Sequence, residues 1–257
     1  MSAKRVSIML VLAVFIAGLS ACTITVGGND GVIRKTLKGD KNITGRAAPL
    51  TDSEYELVIE DIVFAGNNST GRIIIGESLD NTAALETDGN ILDTIDISVS
   101  DGRITVKGDR AARYDHTQFE LRIGAKISGF TINGGFELDM DAPSVTNFSG
   151  LVNGAVDARM AFGSLDSFSL NVNGACSISL TGEAERSSIL INGAGNIEAF
   201  DFRAADSSVT MNGAGSCNVY ASETLDISMS GVGSVVYDGS PKTVNTGAGI
   251  LGTVRKR

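Results

Sequence analysis

The chain is poor in the residues that most often carry chemistry. Its 257 residues include three cysteines, one histidine, three prolines and no tryptophan. A zinc site with several His or Cys ligands is therefore excluded. A Ser-His-Asp triad would have to use His116, and no G-x-S-x-G motif accompanies it. We expect His116, which follows the polar residues 113–115, to lie in a surface loop.

The residues that are abundant favour strands. The sequence contains 31 glycines, 42% hydrophobic residues and many valine, isoleucine, serine and threonine residues. This composition is typical of a turn-rich β architecture and is unlike that of a disordered chain. Because strand-rich single domains often reach this length, we expect one folded domain.

The N-terminus has the pattern of a secretion signal. Lys4 and Arg5 precede an apolar run over residues 6–16, and small residues lead to Cys22. The run is shorter than the roughly 20 residues that span a bilayer, so residues 1–21 are predicted to be a signal peptide. The segment 19–22 resembles the bacterial lipobox, which implies that Cys22 receives acyl chains such as palmitate and anchors the protein to a membrane. Thr23 follows it, and the absence of aspartate there resembles the sorting pattern for the outer membrane.

Charge limits the choice of partner. Without Lys4 and Arg5 the chain has 19 basic and 30 acidic residues, a formal charge of about −11. An acidic surface repels phosphate backbones, so nucleic acid is not expected as a ligand. Residues 22–50, which contain several glycines and Pro49, are predicted to be a tether between the lipid and the fold.

A repeat of about 20 residues organises the second half of the sequence. Asn-Gly or a related step recurs at intervals of 20, 20, 19, 20, 18 and 16 residues. Since Asn-Gly favours positive φ, we expect a tight turn at the same point of each repeat. The predicted turn residues are Asn133, Gly134, Asn153, Gly154, Asn173, Gly174, Asn192, Gly193, Asn212, Gly213, Gly231 and Gly247.

Apolar residues keep fixed distances from these glycines. Almost every residue two or four positions before and four or six positions after a repeat glycine is apolar, while the positions between them are mostly polar. This alternation predicts two strands per repeat, each with one buried face, and a third, less regular strand or loop that completes the repeat. Equivalent residues form buried columns only if successive repeats stack in parallel.

The sequence therefore predicts an all-β fold, a right-handed parallel β-helix, or β-solenoid, of about 20 residues per rung. We expect the domain to cover residues 51–257, with irregular rungs over 51–125 and regular rungs over 126–254. The irregular rungs would begin the stack and protect its N-terminal edge. Cys176 and Cys217 are expected to be small buried residues that are too far apart to form a disulfide.

One surface patch has the residues for chemistry. Glu137, Asp139 and Asp141 alternate on one predicted strand, and Asp157 and Arg159 would lie one rung above Glu137 and Asp139. Outward carboxylates at this spacing could bind calcium or act as an acid and base pair for glycan cleavage. Because Arg159 would neutralise part of the patch, a solvated, ion-paired surface without cofactor or metal is the favoured interpretation.

Three short segments carry a family resemblance: I-N-G-A-G at 191–195, M-N-G-A-G at 211–215 and M-S-G-V-G at 229–233, followed by Tyr237, Gly239 and Pro241. With these motifs the chain resembles the head GIN domain family of putative auto-transporter adhesins, from about residue 51 to 254 and most clearly from Ala175 onward. The resemblance implies a β-solenoid on a bacterial envelope protein and brings no catalytic motif.

Three functions remain open. The first is a non-catalytic, lipid-anchored envelope protein whose rigid β-surface binds glycans or envelope proteins. The second is a polysaccharide lyase or hydrolase that uses the outward carboxylates. The third is an envelope scaffold in which solenoids stack end to end.

Overall fold

A computed structural model describes residues 34–66, 69–248 and 251–257, and shows an all-β protein with a single short helix among these residues. The predicted signal peptide and Cys22 lie outside the described residues. The thirteen strands and the helix are β1 (Lys35–Lys38), β2 (Ile43–Pro49), β3 (Tyr55–Glu60), β4 (Gly71–Gly76), β5 (Thr82–Asp88), α1 (Gly89–Leu92), β6 (Asp96–Ser100), β7 (Arg103–Lys107), β8 (Ala112–Asp115), β9 (Phe119–Ile123), β10 (Ile127–Ala142), β11 (Asn147–Gly239), β12 (Thr243–Ala248) and β13 (Leu251–Lys256).

The repeats stack in parallel with the predicted register. Strand β10 pairs with the start of β11 over fourteen consecutive residues, each opposite the residue 20 positions later, as in Ile132 opposite Val152. The four predicted apolar columns are buried, except that Tyr237 is half-buried. Alternation of side chains across a strand thus produces one continuous apolar interior.

The third side of each repeat is a strand rather than a loop. Strand β11 runs without interruption from Asn147 to Gly239, and aromatic rings fill the interior on this side. The Phe148 and Phe168 rings are stacked with centroids 5.6 Å apart, and Phe202 packs on Phe168 at 4.9 Å. These rings supply large buried areas where the repeat is least regular in sequence.

The repeat glycines form corners inside the strand. From Gly134 to Gly231 their φ angles lie between 137° and 155°, a region that residues with a Cβ rarely adopt. A Cβ on Gly174 would overlap the carbonyl oxygen of Gly154 in the repeat below, and the same holds at the next repeats. Positive φ is confirmed, but the chain stays in strand conformation at these steps and makes no tight turn.

The asparagines before these glycines form a hydrogen-bonded ladder. Each Nδ2 donates to the Oδ1 of the asparagine below, at 2.8 Å from Asn153 to Asn133 and 2.9 Å for Asn173, Asn192 and Asn212. At the lower end, Asn133 donates to the carbonyl oxygen of Ile59 at 3.1 Å. Stacked amides of this kind lock the register of neighbouring repeats.

The N-terminal part of the domain stacks in an order that differs from the chain order. Strands β3 and β4 lie directly below β10, with Leu57 opposite Phe130 and Ile73 opposite Leu138. Strands β7 and β9, which come later in the chain, pair with the opposite edges of β3 and β4. Among these strands, the chain therefore passes through the middle layer (β3 and β4) first, then through the layer below it (β7 and β9), and then through the layer above (β10).

Antiparallel strands cover the lower edge of this stack. Strand β5 pairs with β9, β2 pairs with β5, and β6 pairs with β7, all antiparallel. Covered edges cannot recruit other strands. Strands β1 and β2 lie within residues 22–50, the segment predicted to be a tether, and their backbones form hydrogen bonds with β8 and β5.

Gly247 does not belong to the column of corner glycines. In the register of β11 with β12 it lies opposite Ser228, three residues before Gly231. Residues of β12 and β13 lie opposite the residues 19 positions earlier in β11, so the 16-residue spacing that suggested a seventh corner does not correspond to the structural repeat. Strands β12 and β13 form the last layer, in which Val244 is exposed.

His116 is buried, so its prediction as a surface loop residue is wrong. The residue is 6% exposed, and its ring packs edge-on against Phe64, with centroids 4.8 Å apart. Burial lowers the pKa of His116, while the carboxylates of Asp88 and Asp115 and a hydrogen bond with the Thr70 backbone oppose this shift. Phe64, which is distant in sequence, and Phe119 enclose the ring, and the polar residues that precede His116 did not reveal this.

We expect Gly174→Ala to lower the free energy of unfolding by about 2 kcal/mol or more, because the new Cβ meets both an unfavourable φ and the backbone below. Urea unfolding followed by circular dichroism measures the change. Ser169→Ala, an exposed change in the same repeat, is the control and should stay within about 0.5 kcal/mol of the parent. Equal urea midpoints for Gly174→Ala and Ser169→Ala would contradict the close approach of the backbones at this corner.

We expect His116 to destabilise the fold at acidic pH. The unfolded histidine binds a proton below about pH 6.5, whereas the folded one has a lowered pKa. Stability contributed by the neutral ring should therefore decrease as the pH falls through 6.5 toward the folded pKa. Tm measured at pH 7.5 and 5.5 should drop more in the parent than in His116→Gln; an equal drop would show that other groups cause the acid sensitivity.

Candidate functional site

The residues of the predicted patch lie together on one outward surface. Glu137 is opposite Asp157 and Asp139 is opposite Arg159 in the parallel register of β10 with β11, as expected. The five side chains, including Asp141, are exposed or half-buried. Alternation along the two strands therefore places four carboxylates and one guanidinium on the same face.

Arg72, which the sequence analysis did not include, is central to this patch. Strand β4 places it opposite Glu137, and its guanidinium lies 2.9 Å from Asp139 Oδ2 and 4.0 Å from Glu120. Arg159 approaches the other oxygen of Asp139 at 3.7 Å. The hydrogen bond to Asp139 raises the pKa of Arg72. The Asp139 carboxylate is thus held between two cations.

This arrangement suits an ion-paired surface better than a pair of catalytic carboxyl groups. A general acid or base must reach the substrate with a carboxyl oxygen, whereas both oxygens of Asp139 face guanidinium groups of Arg72 and Arg159. In the part of the chain that the structure describes, no group of three or more metal-binding side chains converges on one point. The calcium hypothesis therefore finds no ligand set there.

A shallow cavity of about 480 Å³ adjoins the patch. Apolar groups of Ile74, Leu79 and Ala161 form part of its wall, and Asp141 and Arg159 lie on it too. The turn after β4 contributes Ser78 and Leu79. A cavity with both apolar and charged walls could hold an amphiphilic molecule.

The remaining candidates for chemistry are buried structural residues. Cys176 and Cys217 are both free and buried, as predicted. Burial raises the pKa of the Cys176 thiol to about 11 and raises that of Cys217 as well, which keeps both thiols protonated and unreactive. His116 is enclosed by Phe64 and Phe119. None of these groups lies on the surface patch.

A second outward surface consists mainly of serine, threonine and asparagine, with Leu151 and Leu190 among them. It occupies the strand that precedes each corner glycine and includes the asparagine ladder. The sequence predicted these asparagines only as turn residues, although their even spacing was a signal for a ladder. In the described part of the chain, no helix has the length and apolar character to cross a membrane.

Comparison with known proteins supports the resemblance noted in the sequence. The family described as "putative auto-transporter adhesin, head GIN domain" matches residues 68–241. No curated protein matches the chain in sequence.

Several solved structures share the fold. A putative adhesin from Bacteroides fragilis has 21% identity and a TM-score of 0.71, over 86% of this chain and 100% of its own. A putative lipid binding protein from Parabacteroides distasonis has 18% identity and a TM-score of 0.60, and a putative adhesin from the same species has 20% and 0.58; each covers 87% of this chain and 100% of its own. Because the family match covers most of its length, the chain belongs to the head GIN domain family of putative auto-transporter adhesins.

Proposed function

We propose that this protein is a non-catalytic, lipid-anchored protein of the cell envelope, held in the outer membrane through Cys22, whose rigid strand surface serves adhesion or binding. The family is that of putative adhesins, which points to the cell envelope or surface. The observation that carries the proposal is the fixed spacing of outward polar side chains over successive repeats. Hydrogen bonds between repeats hold several of them in place, including Asn173 to Asn153 and Ser216 to Asn196.

The architecture proposed for this surface is a right-handed parallel β-helix with about 20 residues per rung. Two observations support this coil: the register between successive repeats is constant, and glycines recur at the corners. Right-handedness is expected because a connection between parallel strands of one sheet is right-handed in nearly all proteins. Such a coil keeps equivalent side chains about 4.8 Å apart, which is a rigid template for a ligand.

Rigid display favours binding because little conformational entropy is lost when a partner docks on a preorganised surface. Catalysis has less support, since both oxygens of Asp139 are engaged by arginine side chains. The cavity beside Leu79 favours a second candidate, the binding of an amphiphile or lipid, which is also how one solved relative is described.

Binding of the labelled full chain, purified in detergent, to isolated envelopes, polysaccharides and lipid vesicles tests the proposal, with parallel measurement of sugar release from uronate and neutral polysaccharides. We expect saturable binding to envelopes or polysaccharides and no sugar release. Sugar release by the parent chain that disappears in Asp139→Asn and Asp157→Asn would contradict the proposal and favour a polysaccharide lyase or hydrolase. Binding to vesicles alone would favour the lipid candidate, and concentration-dependent assembly without binding would favour the scaffold.

The anchor has its own test. In a Gram-negative host grown with an alkyne-labelled palmitate, we expect the parent chain to incorporate the label and to sediment with the membranes. Cys22→Ser should lose the label and enter the soluble fraction, because a thiol is the acceptor of the lipid. Cys176→Ser is the matched control and should retain both properties. Persistent labelling of Cys22→Ser would refute the assignment of the anchor.

A further inference from the structure

The strand before each corner glycine carries a surface without charge, which we call the uncharged face. It consists of the outward positions five, three and one residues before the glycines Gly134 to Gly213. The exposed or half-buried residues at these positions are Thr131, Asn133, Ser149, Leu151, Asn153, Ser169, Asn171, Asn173, Ser188, Leu190, Asn192, Ser208, Thr210 and Asn212, whereas Gly129 is buried. None of them is ionisable in a chain with 30 acidic and 21 basic residues.

Charged residues are present at both borders of the uncharged face. Below it, strands β3 and β7 present Glu56 paired with Arg103 at 2.8 Å and Glu60 paired with Lys107 at 3.6 Å. Above it, Asp226 accepts a hydrogen bond from Asn245 at 2.7 Å. The acidic patch around Asp139 lies on the strand after the glycines. Lack of charge is therefore a local property of this face and not of the whole exterior.

The uncharged face offers both donors and acceptors at regular intervals. A ladder asparagine uses one Nδ2 hydrogen and one Oδ1 lone pair within the ladder, so one of each is left for a ligand. The serine column Ser149, Ser169, Ser188 and Ser208 adds hydroxyl groups that can donate and accept. Each column repeats at about the 4.8 Å spacing of paired strands.

We infer that the uncharged face binds a neutral, extended polysaccharide whose chain runs parallel to the asparagine ladder. Hydroxyl groups of a sugar match the mixed donors and acceptors of the face. The sugar units of an extended β-1,4-linked chain repeat at a distance close to the spacing of the columns. An anionic polysaccharide would meet the negative field of the protein, with no cation on this face to offset it. The inference rests on the proposed binding function and specifies its ligand.

A protein partner fits the uncharged face less well. Peptide groups of a strand repeat at about 3.3 Å along the chain, which does not match columns about 4.8 Å apart. Leu151 and Leu190, both half-buried, are the aliphatic side chains of the face. They give little of the apolar core that protein interfaces need.

Titration of the full chain with cellohexaose, mannohexaose, chitohexaose and an oligogalacturonate of equal length tests the inference by calorimetry. We expect binding of at least one neutral oligosaccharide and a weaker response to the oligogalacturonate. Ser169→Lys, in the centre of the uncharged face, should weaken binding about tenfold, because the long side chain covers neighbouring hydroxyl and amide groups. Ser179→Lys adds the same charge to an exposed position of the same repeat, on the strand after the glycine, and should leave the affinity within about twofold.

The outcomes separate this inference from the proposed function. Equal losses of affinity in both variants, or tighter binding of the oligogalacturonate, would show that the uncharged face is not the binding site. The protein would then bind its ligand through another surface. Binding to isolated envelopes without binding to any neutral oligosaccharide would overturn the ligand class alone. Circular dichroism of Ser169→Lys and Ser179→Lys should match the parent, so a loss restricted to Ser169→Lys reflects the ligand contact.

Discussion

The close approach of backbones at the corner glycines is the constraint on which the rest of the structure depends. At Gly154, Gly174 and Gly193 the backbone of one repeat lies where the next would need space for a Cβ. A side chain at any of these points would separate neighbouring repeats and weaken the hydrogen bonds between their strands. Because the corners coincide, the columns on both sides of them coincide too, and their apolar side chains form one buried cluster.

The properties of the exterior follow from this register. Once equivalent residues lie over one another, a serine or asparagine repeated in sequence becomes a row, and amide groups such as Asn153 and Asn133 reach hydrogen-bonding distance. The same geometry brings Asp139 between Arg72 and Arg159, so the acidic patch is partly neutralised. The proposal that this surface holds a partner rests on its two chemically different faces and on membership of a family of putative adhesins.

The regular half of the chain was predictable because its periodicity is local. Alternation around each Asn-Gly step identified the inward columns, from Phe130 to Ile227 and from Met140 to Val219, and the pairing of Glu137 with Asp157 followed from counting. Arg72 could not be found in this way, since five strands, β5 to β9, separate β4 from β10 in the chain although the two strands are neighbours in the sheet. His116 was misassigned for the same reason: its polar neighbours in sequence say nothing of Phe64, which encloses it.

The sequence by itself determined the all-β class, the 20-residue period, the buried columns and the glycine corners, because each depends on residues close together in the chain or at a constant interval. Only the tertiary structure decided the order of the first layers, the antiparallel strands that cover the lower edge, the place of Gly247 and the environment of His116. These features depend on contacts between segments without a common period, and their energies come from packing that no local pattern encodes.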